Sequence, residues 1–163
     1  GYPNMETNLD RIKEFLKETG VNTFDNQNVD AEYLKLPKDL TELPTNEISK
    51  YLNAITQQRM YVRTLASQAR AIYREAKSAY DREKCRVFSL APAKMSVTEK
   101  ELRVYQDEQA SEIRATMEYS LERFDFLKDI MDSLDDGTFL VSRELTRRLK
   151  DFDDNSRNGR FNA

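Results

Sequence analysis

Residues 46–90 read NEISKYLNAITQQRMYVRTLASQARAIYREAKSAYDREKCRVFSL, a stretch with no proline and no glycine. Ile48, Leu52, Ile55, Val62, Ala66, Ala69, Tyr73, Ala76, Tyr80 and Val87 fall at alternating spacings of three and four. That is the seam of a helix packed lengthwise against another helix. The remaining faces carry Arg59, Arg63, Arg70, Arg74, Lys77, Arg82, Lys84 and Arg86. At a rise of about 1.5 Å per residue, such a helix is on the order of 65 Å long.

A long helix needs a partner, and the sequence downstream supplies one. Pro92 ends the first helix near residues 88–94. Ser96-Val97-Thr98-Glu99 then matches a capping box, with Thr98 to Glu101 as a second register. Leu102, Ile113, Met117, Leu121, Phe124, Leu127, Met131 and Leu134 follow at helical spacing, with a weak register over residues 104–110 that predicts a kink. Asp135-Asp136-Gly137 is expected to interrupt or end this helix, because glycine suits a left-handed terminal position. A last short helix is predicted over 138–152, with Val141, Leu145, Leu149 and Phe152 on one face, and 153–163 reads as a polar, mobile tail.

Upstream, Thr7 or Asn8 caps a short helix with Leu9, Ile12, Phe15 and Leu16 on its apolar face, and Gly20 stops it. Residues 21–28 read as a loop. Asp30 opens about two helical turns through Leu34, closed by Pro37. The pieces Leu34-Lys35-Leu36-Pro37 and Leu40-Thr41-Glu42-Leu43-Pro44 read as an ordered connector whose leucines press on a neighbouring helix. Thr45 and Asn46 are expected to cap the long helix. The fold class is therefore all-α. An N-terminal helix and connector (1–45) precede a long antiparallel, coiled-coil-like hairpin with a short C-terminal helix (46–152) and the tail (153–163). Such a hairpin buries little apolar surface for its length, and self-association is expected to cover the rest.

Composition agrees. Charged residues make up 34% of the 163 and hydrophobic residues 39%, which favours helical hairpins over a thick core. There is one cysteine, Cys85, so no internal disulfide forms, and a reducing, cytoplasmic compartment is expected. Histidine is absent, which excludes His-based triads, general bases and metal ligands. No signal peptide or membrane span is visible in the sequence, and Gly1 to Asn4 looks like a remnant ahead of Met5.

Charge is unevenly spread. Residues 48–98 hold ten basic and three acidic side chains, whereas 99–136 hold five and twelve. Glu118, Glu122, Asp125, Asp129, Asp132 and Asp136 form one stripe on the second helix, and mutual cancellation between the arms explains much of the segregation. If the chain turns near 89–97, positions summing to about 186 face each other, and the tip of the hairpin keeps excess positive charge. Arg63, Arg70, Arg74 and Lys77 share a face suited to a phosphate backbone. Tyr61, Tyr73, Tyr80 and Phe88 are interleaved with them, as in surfaces that stack bases, with Tyr73 and Tyr80 on the seam and Tyr61 and Phe88 freer. The acidic stripe as a metal site and Cys85 as a nucleophile are both weak: carboxylates alone make poor catalytic cages, and no imidazole activates the thiol. No enzyme is expected, and no cofactor.

The order of parts resembles the recombination-mediator proteins of large tailed phages (the UvsY type) over about residues 34–152. Arg70-Ala71-Ile72-Tyr73-Arg74-Glu75-Ala76-Lys77 stands where that family has a basic run in its first long helix. The resemblance implies a cytosolic, non-enzymatic, homo-oligomeric protein that holds single-stranded DNA and helps a recombinase load. Arg70, Arg74 and Lys77 would touch phosphates, with Arg63, Arg82, Lys84 and Arg86 adding to the field. The chain differs in its extra N-terminal helix and its net charge of −3. Two other readings stand beside it. One is a structural or adaptor protein, for instance in a phage particle. The other is a nucleic-acid mimic acting through the stripe from Glu118 to Asp136.

Overall fold

A computed structural model describes residues 7–18 and 29–161. The expected stop at Gly20, the loop at 21–28, the apolar side chains Phe15 and Leu16 and the segment Gly1 to Asn4 lie outside the described residues or side chains. The described elements are α1 (Asn8–Glu18), 3-10 turns at Ala31–Leu34 and Leu40–Glu42, α2 (Thr45–Leu90), α3 (Val97–Gln106) and α4 (Glu108–Phe161). No strand occurs among them, and no helix is long and apolar enough to cross a membrane. The protein is an all-α helical hairpin, α2 packing along α4. It divides into two compact units, one of residues 1–23 and 64–128, the other of 24–63 and 129–163.

In the second unit, Ile48, Ile55 and Val141 form the buried core, and Leu34, Leu36, Leu40 and Leu43 of the connector pack on it as the sequence predicts. The two helical turns expected from Asp30 shrink to one 3-10 turn, whose cap is the Asp30 carboxylate accepting from the Glu32 N–H at 3.1 Å. Asp39 caps the next turn in the same way through the Thr41 N–H at 3.0 Å. Thr45 is the first residue of α2 rather than its cap, and the Pro44 carbonyl accepts from the Glu47 and Ile48 N–H groups at 3.0 and 3.1 Å. Pro44 costs nothing there, since first-turn N–H groups have no partner inside a helix.

Arg148 fastens this arrangement. Its guanidinium donates to the Leu43 carbonyl at 2.5 Å, the Leu40 carbonyl at 3.1 Å and Thr45 Oγ1 at 3.0 Å. The same side chain pairs with buried Glu144 at 2.9 Å, which Arg147 holds bidentately at 2.7 and 3.0 Å. Hydrogen bonds from Arg147 and then Arg148 pull the Glu144 carboxyl down to a pKa of about 2.

Three expectations about α4 are corrected here. Asp135-Asp136-Gly137 does not interrupt it, no separate helix begins at 138, and the tail continues the helix to Phe161. Gly137 lies inside α4 where Ile55 and Leu36 pack beside it. Leu149 and Phe152, expected on a packed face, are 67% and 69% exposed.

In the first unit the core is Val87, Val104 and Ala110, with Tyr80 and Phe88 packed against it. The chain leaves α2 at Leu90 and turns through 91–96. Ser96 Oγ accepts from the Glu99 N–H at 3.2 Å, so the first of the two possible cap registers is used. The kink expected over 104–110 is a break at Asp107. Its N–H closes α3 on the Arg103 carbonyl at 2.9 Å, and its Oδ1 caps α4 through the Ala110 N–H at 2.9 Å. That break resets the helical phase, so Val104 and Ala110, six residues apart, are both buried; Leu102, expected on the seam, is exposed.

Candidate nucleic-acid interface

The register between the arms decides which charges meet. Arg59 pairs with Asp135 in one unit, and Arg86 pairs with Asp107 at 2.7 Å in the other. These positions sum to 194 and 193, not 186, a slip of about one heptad. A heptad slip keeps the same face inward, so the seam is read correctly while the opposing segments are not. The consequence corrects the expected charge balance. In the first unit, residues 65–86 carry six basic and three acidic side chains, and facing residues 107–128 carry three and six. The two arms balance in number, and the connecting residues 87–106, with three basic and two acidic side chains, leave an excess of a single positive charge.

Balance in number is not pairing. Arg70, Arg74, Lys77 and Arg82 are exposed, and among the described residues none of them has an ion pair. Arg70, Arg74 and Lys77 recur at four and three residues, on successive turns of one face of α2. Glu118, Glu122 and Asp125 are likewise exposed on α4, where, among the described residues, only Glu118 meets a cation, Arg114 at 3.9 Å. The segregated charges stay mostly apart instead of bridging.

The remaining sequence candidates divide. Arg86 is engaged, by Glu83 at 2.7 Å and by Asp107, and the Glu83 hydrogen bond raises its pKa above the usual arginine range. The Ala110 N–H, assisted by the Arg86 charge, holds Asp107 below the ordinary carboxylate value. Lys84 is half-buried with its ammonium 6.0 Å from the Tyr80 ring centroid. Arg63 is exposed but belongs to the other unit. Among the aromatics, Tyr80 is core as predicted, and Phe88, expected to be free, packs on Val87, Val104 and Ala110 instead. Lys100 lies 6.0 Å from the Phe88 ring centroid. Tyr61 and Tyr73 are half-buried.

One part of the surface was not legible in the sequence, where α1 lies against the basic run of α2. The Leu9 N–H donates to Glu75 Oε1 at 3.3 Å. Thr7 and Asp10 cap α1 reciprocally: the Asp10 N–H donates to Thr7 Oγ1 at 3.2 Å, and the Thr7 N–H to Asp10 Oδ2 at 3.3 Å. Arg70 and Arg74 therefore sit at the rim of a cleft between the two helices. The apolar stripe Leu9–Ile12 was a signal that α1 packs on something, but its address is set by tertiary contacts alone.

Cys85 is exposed on α2. Among the described residues no cluster of three or more Cys, Asp or Glu side chains is arranged to hold a metal ion. Compared with protein-family models, curated proteins and solved structures, the chain matches none.

Proposed function

We propose that this is a non-enzymatic protein that binds single-stranded nucleic acid through Arg70, Arg74, Lys77 and Arg82. The observation that supports the reading is that these four cations are exposed and without ion pairs among the described residues, while Arg59 and Arg86 are paired. Three of them follow one face of α2 over two turns, a line of charge that a flexible phosphate backbone can track. The mediator role, with a homo-oligomer helping a recombinase onto single-stranded DNA in the cytoplasm of a phage-infected host, is the fuller form of this proposal.

The test is affinity for a labelled oligothymidylate at two salt concentrations. Four phosphate contacts on a single strand give a slope of roughly −2.8 in log affinity against log salt. Affinity then falls about 50-fold between about 50 and 200 mM. The variant with Arg70, Arg74 and Lys77 all changed to Glu is expected to lose binding with its helical circular dichroism intact. Absence of binding by the unaltered protein at low salt would sink the proposal.

A second reading, an adaptor that binds protein, is favoured by Tyr119 and Phe126. They lie one heptad apart on α4 and are 66% and 68% exposed. Aromatics so placed beside Glu118, Glu122 and Asp125 suit a helical partner, a second copy included. Changing both to Ser is expected to lower the sedimenting mass if they hold copies together; an unchanged mass removes that role.

A further inference from the structure

We propose that the cleft between α1 and α2 receives one unstacked base of a bound strand, and that this gives the protein its preference for single strands over duplex. The inference rests on the nucleic-acid reading above and specifies how that surface selects its ligand.

The cleft encloses about 280 Å³. Ligand sites typically run from roughly 300 to 1,000 Å³, so this one suits a single flat ring and its immediate attachment. Leu9 and Ile12 of α1 and Ala71 of α2 give it apolar walls. Such walls exclude water from the faces of a base but offer nothing to a phosphate. Gln68 and Ser67 also line it and bring what the edge of a base requires, since an amide carries both donors and an acceptor and a hydroxyl serves as either. Three cations, Lys13, Arg70 and Arg74, complete the lining. This combination of apolar walls, a few polar groups and clustered positive charge matches one nucleotide better than it matches a peptide or a sugar. A base in the cleft leaves its own phosphate and the next within reach of Arg70 and Arg74. The strand can then continue past Lys77, which lies a turn further along the same face of α2.

Selectivity follows from what entry demands. A base in a single strand need only leave its stacked neighbours, whereas a duplex base must also give up its pair. The exposed cations by themselves attract either form, so they give affinity without choice. The cleft exists only because α1 lies on α2. That assigns a role to the N-terminal helix that the charge pattern of α2 does not require.

The experiment compares a labelled oligothymidylate with a duplex of equal length, at about 50 mM salt where electrostatic contacts are strong. It uses the full chain and its Ala71→Leu variant. Leucine keeps helix propensity while filling the cleft. The unaltered protein is expected to favour the single strand by roughly tenfold, the scale of one sequestered base. Ala71→Leu is expected to bring single-strand affinity down to the duplex value and leave duplex affinity unchanged. A second variant, Gln68→Ala, alters the lining without adding bulk, and should lower single-strand affinity alone even if the leucine displaces α1. A strand carrying 2-aminopurine reports the unstacked base directly, and its fluorescence should rise with the unaltered protein and not with Ala71→Leu. Equal affinity of the unaltered protein for both forms overturns the inference and leaves the nucleic-acid reading standing. So does indifference of single-strand binding to both variants. Failure to bind either form overturns the reading itself, and the inference with it.

Discussion

Gly137→Ala should make this protein more stable, although the local sequence argues the opposite. Asp135-Asp136-Gly137 looks like a helix terminus. At a true terminus with glycine in the left-handed region, alanine would be strained and would destabilise by about 1 kcal/mol or more. In the structure Gly137 lies inside α4, and Thr138 next to it donates its hydroxyl to the Leu134 carbonyl at 3.0 Å, one turn back. A methyl at Gly137 would meet Ile55 Cδ1 at 3.5 Å, Leu36 Cδ1 at 3.7 Å and Ile55 Cγ2 at 3.8 Å. Those are ordinary van der Waals separations. Helix propensity then contributes about 0.8–1 kcal/mol in favour of alanine. Burying part of a methyl group against Ile55 and Leu36 adds up to about 0.8 kcal/mol. A total near 1–1.5 kcal/mol corresponds to a rise of roughly 3–6 °C in Tm for a chain of this size. Thermal and urea unfolding followed by far-ultraviolet circular dichroism measure it. Gly137→Leu serves as the contrast, because the space at 3.5 Å admits a methyl and not a branched chain, and overpacking costs about 1–3 kcal/mol. A lowered Tm for the alanine variant would refute the reasoning, since it would mean that the helix stops where the sequence first suggested.

Other perturbations probe the rest of the framework. Arg148→Leu removes the donor to the Leu40 and Leu43 carbonyls and to Thr45 Oγ1, and should lower stability by roughly 2–3 kcal/mol; an unchanged urea midpoint would show that the connector is held by its leucines alone. Glu144 has a depressed folded-state pKa, about 2 against an ordinary 4.5, so the unfolded chain binds its proton first as pH falls. The stability difference between the protein and its Glu144→Gln variant should therefore be constant above 4.5 and shrink as pH drops towards about 2. A difference that does not change across that window would rule out the assigned ion pairs. Ser96→Ala removes the cap on the Glu99 N–H and should cost about 1 kcal/mol, while Thr98→Ala should cost much less; equal losses in thermal unfolding would mean that both cap registers are in use.

Where the proposed nucleic-acid surface lies was only partly legible. The exposure of Arg70, Arg74 and Lys77 follows from their spacing off the apolar seam, and that spacing is written in the chain. The pairing of Arg86 with Asp107 is not, because Asp107 reaches it only once the break between α3 and α4 is made, whereas its other partner, Glu83, is local. Nor does the chain show that Lys13 and Arg70 line one cleft, since they lie on elements more than fifty residues apart.

The sequence by itself determined the all-helical class, the buried seam of α2 and the Ser96 cap, because each of these rests on neighbours three or four residues away. Ile48, Ile55, Val62, Ala66, Ala69 and Val87 are buried where periodicity put them, and Ser96 caps where its spacing to Glu99 allows. Tertiary structure alone decided the heptad of slip between the arms, the continuity of α4 through Gly137 and the docking of α1. Periodicity repeats every heptad and so cannot tell one register from the next. Only distant partners such as Asp135, Asp107, Ile55 and Glu75 make one of those alternatives lower in free energy.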